Sequence, residues 1–358
     1  MKTHKILVIN PGSTSTKIAV YRNKKSVFIK AIRHSSDELA PYARIADQKE
    51  FRKSIILNTL EQTGLDIGKV TGIIGRGGVI KPIESGVYRI NARLIEDLTK
   101  AERGEHASNL GGLIAEEIAR IIPNVQAFIA DPVVVDEMQD VARFTGHPRF
   151  SRISIFHALN HKAVARAHAK SQDKKYEDVN YIIAHIGGGI SVGAHYRGRV
   201  IDVNQALDGE GPFSPERSGT LPCGALVDYC FSGEATQQEI RKMITGQGGY
   251  VAYLGTNDAY EVEMRAQGGD EQARLVQRAM AYQVAKEIGA MAAVLKGKVD
   301  AIIITGGVAH NVTIVDYVKN MVSFIAPVAV YPGEDEMNAL AMNAYGVLTG
   351  EIEAKEYS

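Results

Sequence analysis

The sequence predicts an α/β protein built from two copies of one domain, and three observations predict it. The apolar run Ile6-Leu7-Val8 leads into the polar turn Asn10-Pro11-Gly12-Ser13-Thr14-Ser15-Thr16-Lys17, and Tyr181-Ile182-Ile183 leads likewise into His185-Ile186-Gly187-Gly188-Gly189, 175 residues later. At that offset His185 falls on Asn10, Gly187 on Gly12, Tyr196 on Tyr21 and Arg197 on Arg22. The run 125–133 overlies 299–307 at an offset of 174, each a short β-rich strand that ends in a polar residue and a turn former. Finally, strand-like and helix-like stretches alternate along the chain, which favours α/β layering. A spacing this long marks duplicated domains, since solenoid repeats recur every 20–50 residues or so, and 358 residues suit about two domains.

The elements follow in order. Residues 6–27 read as a hairpin-like start. A helical stretch over 50–63 stops at Gly64, and a strand at 72–74 runs into Arg76-Gly77-Gly78. Tyr88-Arg89-Ile90 forms a further strand or turn element, and 107–122 a helix stopped by Pro123. Ser154 is a suitable N-cap for the Ala-rich stretch 155–169, which should connect the two domains. The Gly/Pro-rich stretch 208–219 breaks the pattern, and an irregular segment of that length inside a domain reads as a binding loop. The longest helical pattern is 271–296, apolar at Leu275, Ala279, Tyr282, Ile288, Ala292 and Leu295 and stopped by Gly297. A helix over 336–348 then repeats the connecting helix and returns to the first domain. The expected domains are 1–153 plus about 340–358, and 154–339.

Composition excludes several classes. Hydrophobic residues make up 45% and charged residues 23%, enough for a sizeable core. The 41 basic and 41 acidic side chains cancel, so nothing points to a nucleic acid or a membrane as an electrostatic partner. Met1-Lys2-Thr3-His4-Lys5 leads straight into a strand, and no apolar run reaches the roughly 18 residues of a membrane span, so a cytoplasmic protein is expected. Cys223 and Cys230 lack CxxC spacing and neighbouring histidines, and read as reduced, buried or half-buried thiols.

Three glycine turns follow strands: Gly12 to Ser15, Gly187 to Gly189, and Gly306-Gly307. Glycine lets backbone N–H groups approach an anion closely. The chain has no GxxxxGK[ST] run and the turns lack the GxGxxG arrangement, so P-loop and Rossmann readings lose weight.

These residues resemble a known family. Asn10 to Lys17 resembles the first signature of the acetate and butyrate kinase family, and Phe156-His157-x-x-x-His161 its second. Ala184-His185-Ile186-Gly187-Gly188-Gly189 and Thr305-Gly306-Gly307 look like the second phosphate loop and the adenosine loop of the wider actin, Hsp70 and sugar-kinase superfamily. The resemblance spans essentially the whole chain. Several runs look like the butyrate branch: Gly75-Arg76-Gly77-Gly78, Glu105-His106-Ala107-Ser108-Asn109-Leu110-Gly111, Asp131 to Met138, and Ser214-Pro215-Glu216-Arg217-Ser218-Gly219. Acetate kinases instead carry His-Gly-Gly at the first of these, with an arginine at the position of Ile73.

The resemblance implies duplicated actin-like ATPase (ribonuclease H-like) domains with a cleft between them, and phosphoryl transfer from ATP to a short-chain fatty acid. It implies Arg217 on the carboxylate or the transferring phosphoryl, His157 on the equatorial oxygens, and Arg76 as a second substrate cation. Mg²⁺ would fall to Glu336 and Asp131 with Asn10 nearby, and the ATP phosphates to Gly12, Ser13, Thr14, His185, Gly187, Gly188 and Gly189. Gly306 and Gly307 would take the ribose or adenine, and a homodimer or larger homo-oligomer would form. The product would be an acyl phosphate, and isobutyrate is an alternative acid. A non-enzymatic ATP switch is the reading from another class, since fold alone does not decide function.

Plainer readings stand beside these. His157 and His161 are helix neighbours at i, i+4, and Arg217 alone would be a solvated charge. Glu336, beside Glu334 and Asp335, suits a helix dipole, and Asp131-Pro132 a strand-to-turn signal. Lys17 stays outside the catalytic set.

Overall fold

Apolar strands buried on both faces organise each half of this chain. The structure, a computed structural model, describes residues 3–358, and Met1 and Lys2 lie outside the described residues. The chain divides into two units, Met1–Val135 with Asp335–Ser358, and Asp136–Glu334.

The first unit carries β1 (Lys5–Pro11), β2 (Ser15–Arg22), β3 (Lys25–Arg33), β4 (Gly72–Arg76), β5 (Val87–Arg89) and β6 (Gln126–Ala130). The second carries β7 (Asn180–Ile186), β8 (Ile190–Tyr196), β9 (Arg199–Val203), β10 (Ala301–Gly306) and β11 (Val328–Pro332), and β12 (Lys355–Glu356) returns to the first. The sheets run β12-β5-β6-β4-β1-β2-β3 and β11-β10-β7-β8-β9. In both, a first strand pairs antiparallel with its hairpin partner and parallel with the strand on its other side. Five strands therefore repeat with the same order and directions.

The repeat is closer than the sequence alone indicated at one point and different at two others. Strands β1 and β7 are offset by 175 at both ends. Beyond the turn the offset drops to 174: Lys5 pairs with Arg22 while Asn180 pairs with Tyr196, so Tyr196 stands where Arg22 does, not Tyr21. The bulges agree, between Val20 and Tyr21 and between Ala194 and His195. The expected match of 125–133 with 299–307 does not hold in the sheets. There β10 lies beside β7 as β4 lies beside β1, and β6 is matched by β11. Buried parallel strands are all continuous apolar runs, so pattern alone cannot say which is which.

The helix Ala158–Ser171 follows β6 and packs on β7 and β10, and Glu336–Thr349 follows β11 and packs on β1 and β4. These are duplicates in topology. The first does not start at 155 under a Ser154 cap: the Ile155 carbonyl accepts a hydrogen bond from the Ala206 N–H (2.8 Å), which leaves His157 as the residue preceding the helix.

Residues 208–219 are irregular, as expected, and are followed by four short helices, Cys223–Phe231, Gln237–Thr245, Gly249–Leu254 and Ala259–Gln267. Cys223–Phe231 buries none of its residues, so Cys223 and Cys230 are exposed free thiols instead of buried ones. No helix among the described residues is long and apolar enough to cross a membrane.

Gly75 on β4 and Gly111 on the helix Asn109–Ala119 let strand and helix backbones touch. A Cβ on Gly111 would overlap the Arg76 backbone, and one on Gly75 the Gly111 carbonyl. Gly289, on the exposed side of the helix Glu271–Val294, has open space around it. Gly111→Ala should therefore cost about 3 kcal/mol in urea unfolding through overpacking, whereas Gly289→Ala should stabilise by roughly 0.5–1 kcal/mol through helix propensity.

Candidate active site

The parallel register sets Ile9 beside Gly75, so the next residues, Asn10 and Arg76, emerge together at the strand ends. Glu336, first residue of the helix Glu336–Thr349, meets both. Its Oε2 accepts from Asn10 Nδ2 at 2.7 Å and from Arg76 Nη1 at 3.0 Å, and its Oε1 lies 2.9 Å from Arg76 Nη2. The fork is bidentate and partly shielded from water, a geometry that strengthens a charge-assisted bond. Asp131 follows β6 with φ 39°, and its Oδ1 accepts from Ser85 Oγ (2.6 Å) and the Gly86 N–H (2.8 Å). Among the described residues no cluster of three or more His, Cys, Asp or Glu is placed to hold a metal ion. The all-oxygen set of Glu336, Asn10 and Asp131 has the donor chemistry of Mg²⁺, which keeps several waters and needs few carboxylates.

Beneath the turn after β1 lies Arg52, which the sequence did not single out. It is 1% exposed, and its guanidinium donates to the carbonyls of Gly12 (2.8 Å), Ser13 (2.9 Å) and Ser15 (3.0 Å), to Thr16 Oγ1 and to Gln48 Oε1. Among the described residues no carboxylate pairs with it, and burial pushes its pKa down to about 10, so it stays charged at neutral pH. In a trans peptide the N–H points opposite to the C=O. Holding the Gly12 and Ser13 carbonyls inward thus turns the N–H groups of Ser13 and Thr14 outward, on residues that are themselves exposed. The Gly12 N–H closes the turn onto the Ser15 carbonyl at 2.7 Å.

In the second unit His157 and His185 stack, ring centroids 3.8 Å apart and 10° from parallel. His157 Nδ1 lies 2.9 Å from Ser191 Oγ, and His185 Nδ1 2.8 Å from Asn160 Oδ1. The Gly187 N–H closes its turn onto the Gly189 carbonyl at 3.1 Å, the counterpart of the Gly12 closure. Ser214 Oγ donates to the Gly188 carbonyl at 2.6 Å and accepts the Arg217 N–H at 3.1 Å. The Arg217 guanidinium lies against Gly189, where any Cβ would overlap it, and Nη1 donates to the Ala206 carbonyl at 2.6 Å. Its Nε is buried with no partner among the described residues. Burial pushes its pKa down, opposed by Glu216. Gly306, at φ 94°, exchanges hydrogen bonds with Gly333 (3.2 and 2.9 Å), and a Cβ there would overlap Ile186. Gly307 opens a short turn into free space.

The structure thus gathers Asn10, Arg76 and Glu336 in one unit, and in the other stacks His157 on His185 and lays Arg217 against Gly189. It adds Arg52, Ser191 and Asn160. Ser191 did carry a signal, as a hydroxyl set between the apolar residues Ile190 and Val192 in a strand, where it must find a partner when buried. Arg52 carried none, since Lys49 and Lys53 beside it are equally cationic.

Comparison with known proteins places the chain as a whole. The acetokinase family profile matches residues 150–343. Butyrate kinase 2 of Clostridium acetobutylicum is 57% identical over 353 residues, covering 99% of each chain. Among solved structures, Porphyromonas gingivalis acetate kinase matches with a TM-score of 0.77 at 21% identity, over 96% of this chain and 100% of that one. A propionate kinase from Francisella tularensis gives 0.73 at 20% identity, over 95% and 98%. These two likenesses establish the fold, that of the two-domain, actin-like ATPases expected from the sequence.

Arg52→Ala should cost at least about 3 kcal/mol in chemical unfolding, because three turn carbonyls and Gln48 lose a buried donor. Arg52→Lys should recover only part of it, since an ammonium lacks the five-donor fork.

Proposed function

The chain belongs to the acetokinase family, and from that membership we propose that it is an ATP-dependent carboxylate kinase that converts butyrate to butyryl phosphate, reversibly. The observation that carries the reading is the 57% identity to Butyrate kinase 2 over 99% of both chains. Cytoplasmic work accords with ATP as the phosphoryl donor. Self-association to a dimer or larger assembly is part of the same proposal, supported by Val227 and Phe231, 54% and 87% exposed on the helix Cys223–Phe231.

The residue types suit this reaction. A fatty-acid carboxylate is ionised at neutral pH, so it attacks without a general base. One carboxylate oxygen forms a bond to the γ-phosphorus as the bond from that phosphorus to the ADP oxygen breaks, in line, and no proton changes hands. Repulsion between anions is the obstacle, and cations, N–H donors and fixed geometry oppose it.

Arg217 would neutralise the carboxylate or the transferring phosphoryl, supported by its buried Nε, which has no partner among the described residues. His157 would donate to the equatorial oxygens. Arg76, held by Glu336, would be the second cation. The outward N–H groups at Ser13 and Thr14, the turn at Gly12, and His185 with Gly187, Gly188 and Gly189 would take phosphate oxygens. Gly306 and Gly307 would lie at the nucleoside. Glu336, Asn10 and Asp131 would hold Mg²⁺, which when bound neutralises phosphate charge. Butyrate and isobutyrate differ only in shape, and such discrimination amounts to about 1–3 kcal/mol.

Two measurements test this. Trapping acyl phosphate with hydroxylamine, in the presence of ATP, Mg²⁺ and C2 to C5 acids, should give its maximum at butyrate. A maximum at acetate sinks the butyrate assignment, and no product with any acid sinks the kinase. Arg217→Ala should lower kcat by about 10²–10³, the scale of a lost transition-state donor, with ATP affinity little changed. Near-normal turnover in that variant would remove Arg217 from the chemistry.

A further inference from the structure

We propose that a buried hydrogen-bond chain running from Tyr176 through His195, His161 and Ser191 to His157 fixes His157 as its Nε2–H tautomer, so that these four act as positioning residues. The role for His157 as a donor to the phosphoryl rests on the reading above; the tautomer does not.

The links are continuous. Tyr176 Oη lies 2.6 Å from His195 Nδ1, and His195 Nε2 lies 3.1 Å from His161 Nδ1. His161 Nε2 lies 2.9 Å from Ser191 Oγ, which in turn lies 2.9 Å from His157 Nδ1. His161, Ser191 and His195 are fully buried and Tyr176 is 3% exposed. Secondary structure sets the spacing. His157 and His161 are one helical turn apart, while Ser191 and His195 share one face of β8. Gly193 lies between them on that face, where a Cβ would stand 3.5 Å from the His161 ring.

A neutral imidazole has one donor and one acceptor nitrogen, so each link sets the direction of the next. Both middle imidazoles are held neutral, with pKa values well below the ordinary range. Burial is the first cause for each. The charge of Lys162 adds to it at both. Lys162 is fixed by Glu137 Oε2 (2.6 Å) and the Gly198 carbonyl (2.8 Å). The phenol is the acid of the terminal pair and imidazole the base, so Tyr176 donates to His195 Nδ1. His195 then carries its proton on Nε2 and donates to His161 Nδ1. His161 donates from Nε2 to Ser191 Oγ, and Ser191 donates to His157 Nδ1. The remaining proton of a neutral His157 must sit on Nε2, leaving that nitrogen a donor. Ser191 Oγ is also 3.5 Å from the His157 backbone N–H, which fits an oxygen that accepts twice and donates once.

The test is NMR of the full-length protein with ¹⁵N-histidine, the His157 signals being assigned by their loss in His157→Gln. The expected result is protonated Nε2 and bare Nδ1. A protonated Nδ1, or a mixture, in the wild-type protein overturns the proposal whether or not the protein is a kinase. Tyr176→Phe and Ser191→Ala each break one link with little change of volume. Each should give mixed tautomers at His157 and at least a tenfold lower kcat, with KM for ATP within about twofold of wild type. If a folded variant keeps the pure Nε2–H form, or keeps wild-type kcat, the chain does not position His157. If wild type lacks kinase activity but shows the Nε2–H form, the functional reading fails and the tautomer assignment stands.

Discussion

Parallel pairing of β4 on β1, and of β10 on β7, is the constraint from which the candidate site follows. Strands buried on both faces can hold few polar residues except where they end. Asn10 and Arg76 stand at or next to the ends of β1 and β4, Asp131 immediately after β6, and His185 and Gly306 at the ends of β7 and β10. In open α/β sheets ligands bind beyond the carboxyl ends of the strands. Every strand-borne candidate in this chain obeys that rule, in both units.

Duplication gave the two units one frame, and the residues at its strand ends diverged. At equivalent positions the first unit has an amide, Asn10, tied to a carboxylate and a guanidinium, while the second has an imidazole, His185, stacked on another. Across the hairpin, exposed Lys17 faces Asn10 and buried Ser191 faces His185. One residue fewer in the second turn accounts for the shift between these pairs, and it leaves Gly187, Gly188 and Gly189 as a tighter turn against which the Arg217 guanidinium fits.

Much of this was legible in the sequence because it lies in turn chemistry and apolar runs. The two hairpins, the glycine turns, the long helix Glu271–Val294 and the returning helix Glu336–Thr349 all carry local signals. Strand β3 does not, since most of it is exposed and its pattern is mixed. The short helices between 223 and 267 were missed because none exceeds nine residues, too few for a helical apolar period to stand out. Ser154 had the chemistry of a cap, but a tertiary bond from Ala206 to Ile155 moved the helix start. Burial of Arg52, and not of Lys49 or Lys53, is decided by the fit of a guanidinium among carbonyls that come together only after folding.

Arg52 and Tyr176 solve the same problem at different places. An anion-binding group is useful only if its donors point outward before the anion arrives, because reorienting them during reaction raises the barrier. A turn by itself can rotate its peptides either way, and a neutral histidine can hold its proton on either nitrogen. Arg52 removes the first freedom by engaging the carbonyls of Gly12 and Ser13, which leaves N–H groups as the outward face. The Tyr176 chain removes the second by supplying a donor to each acceptor in turn until only Nε2 of His157 is left to carry a proton. Both devices keep their own polar groups satisfied inside the protein, so each buried bond fixes the direction of a donor at the surface. For a reaction that moves no proton and gathers negative charge, orientation of donors is the main task left to the protein, and it falls to residues that need never touch the substrate.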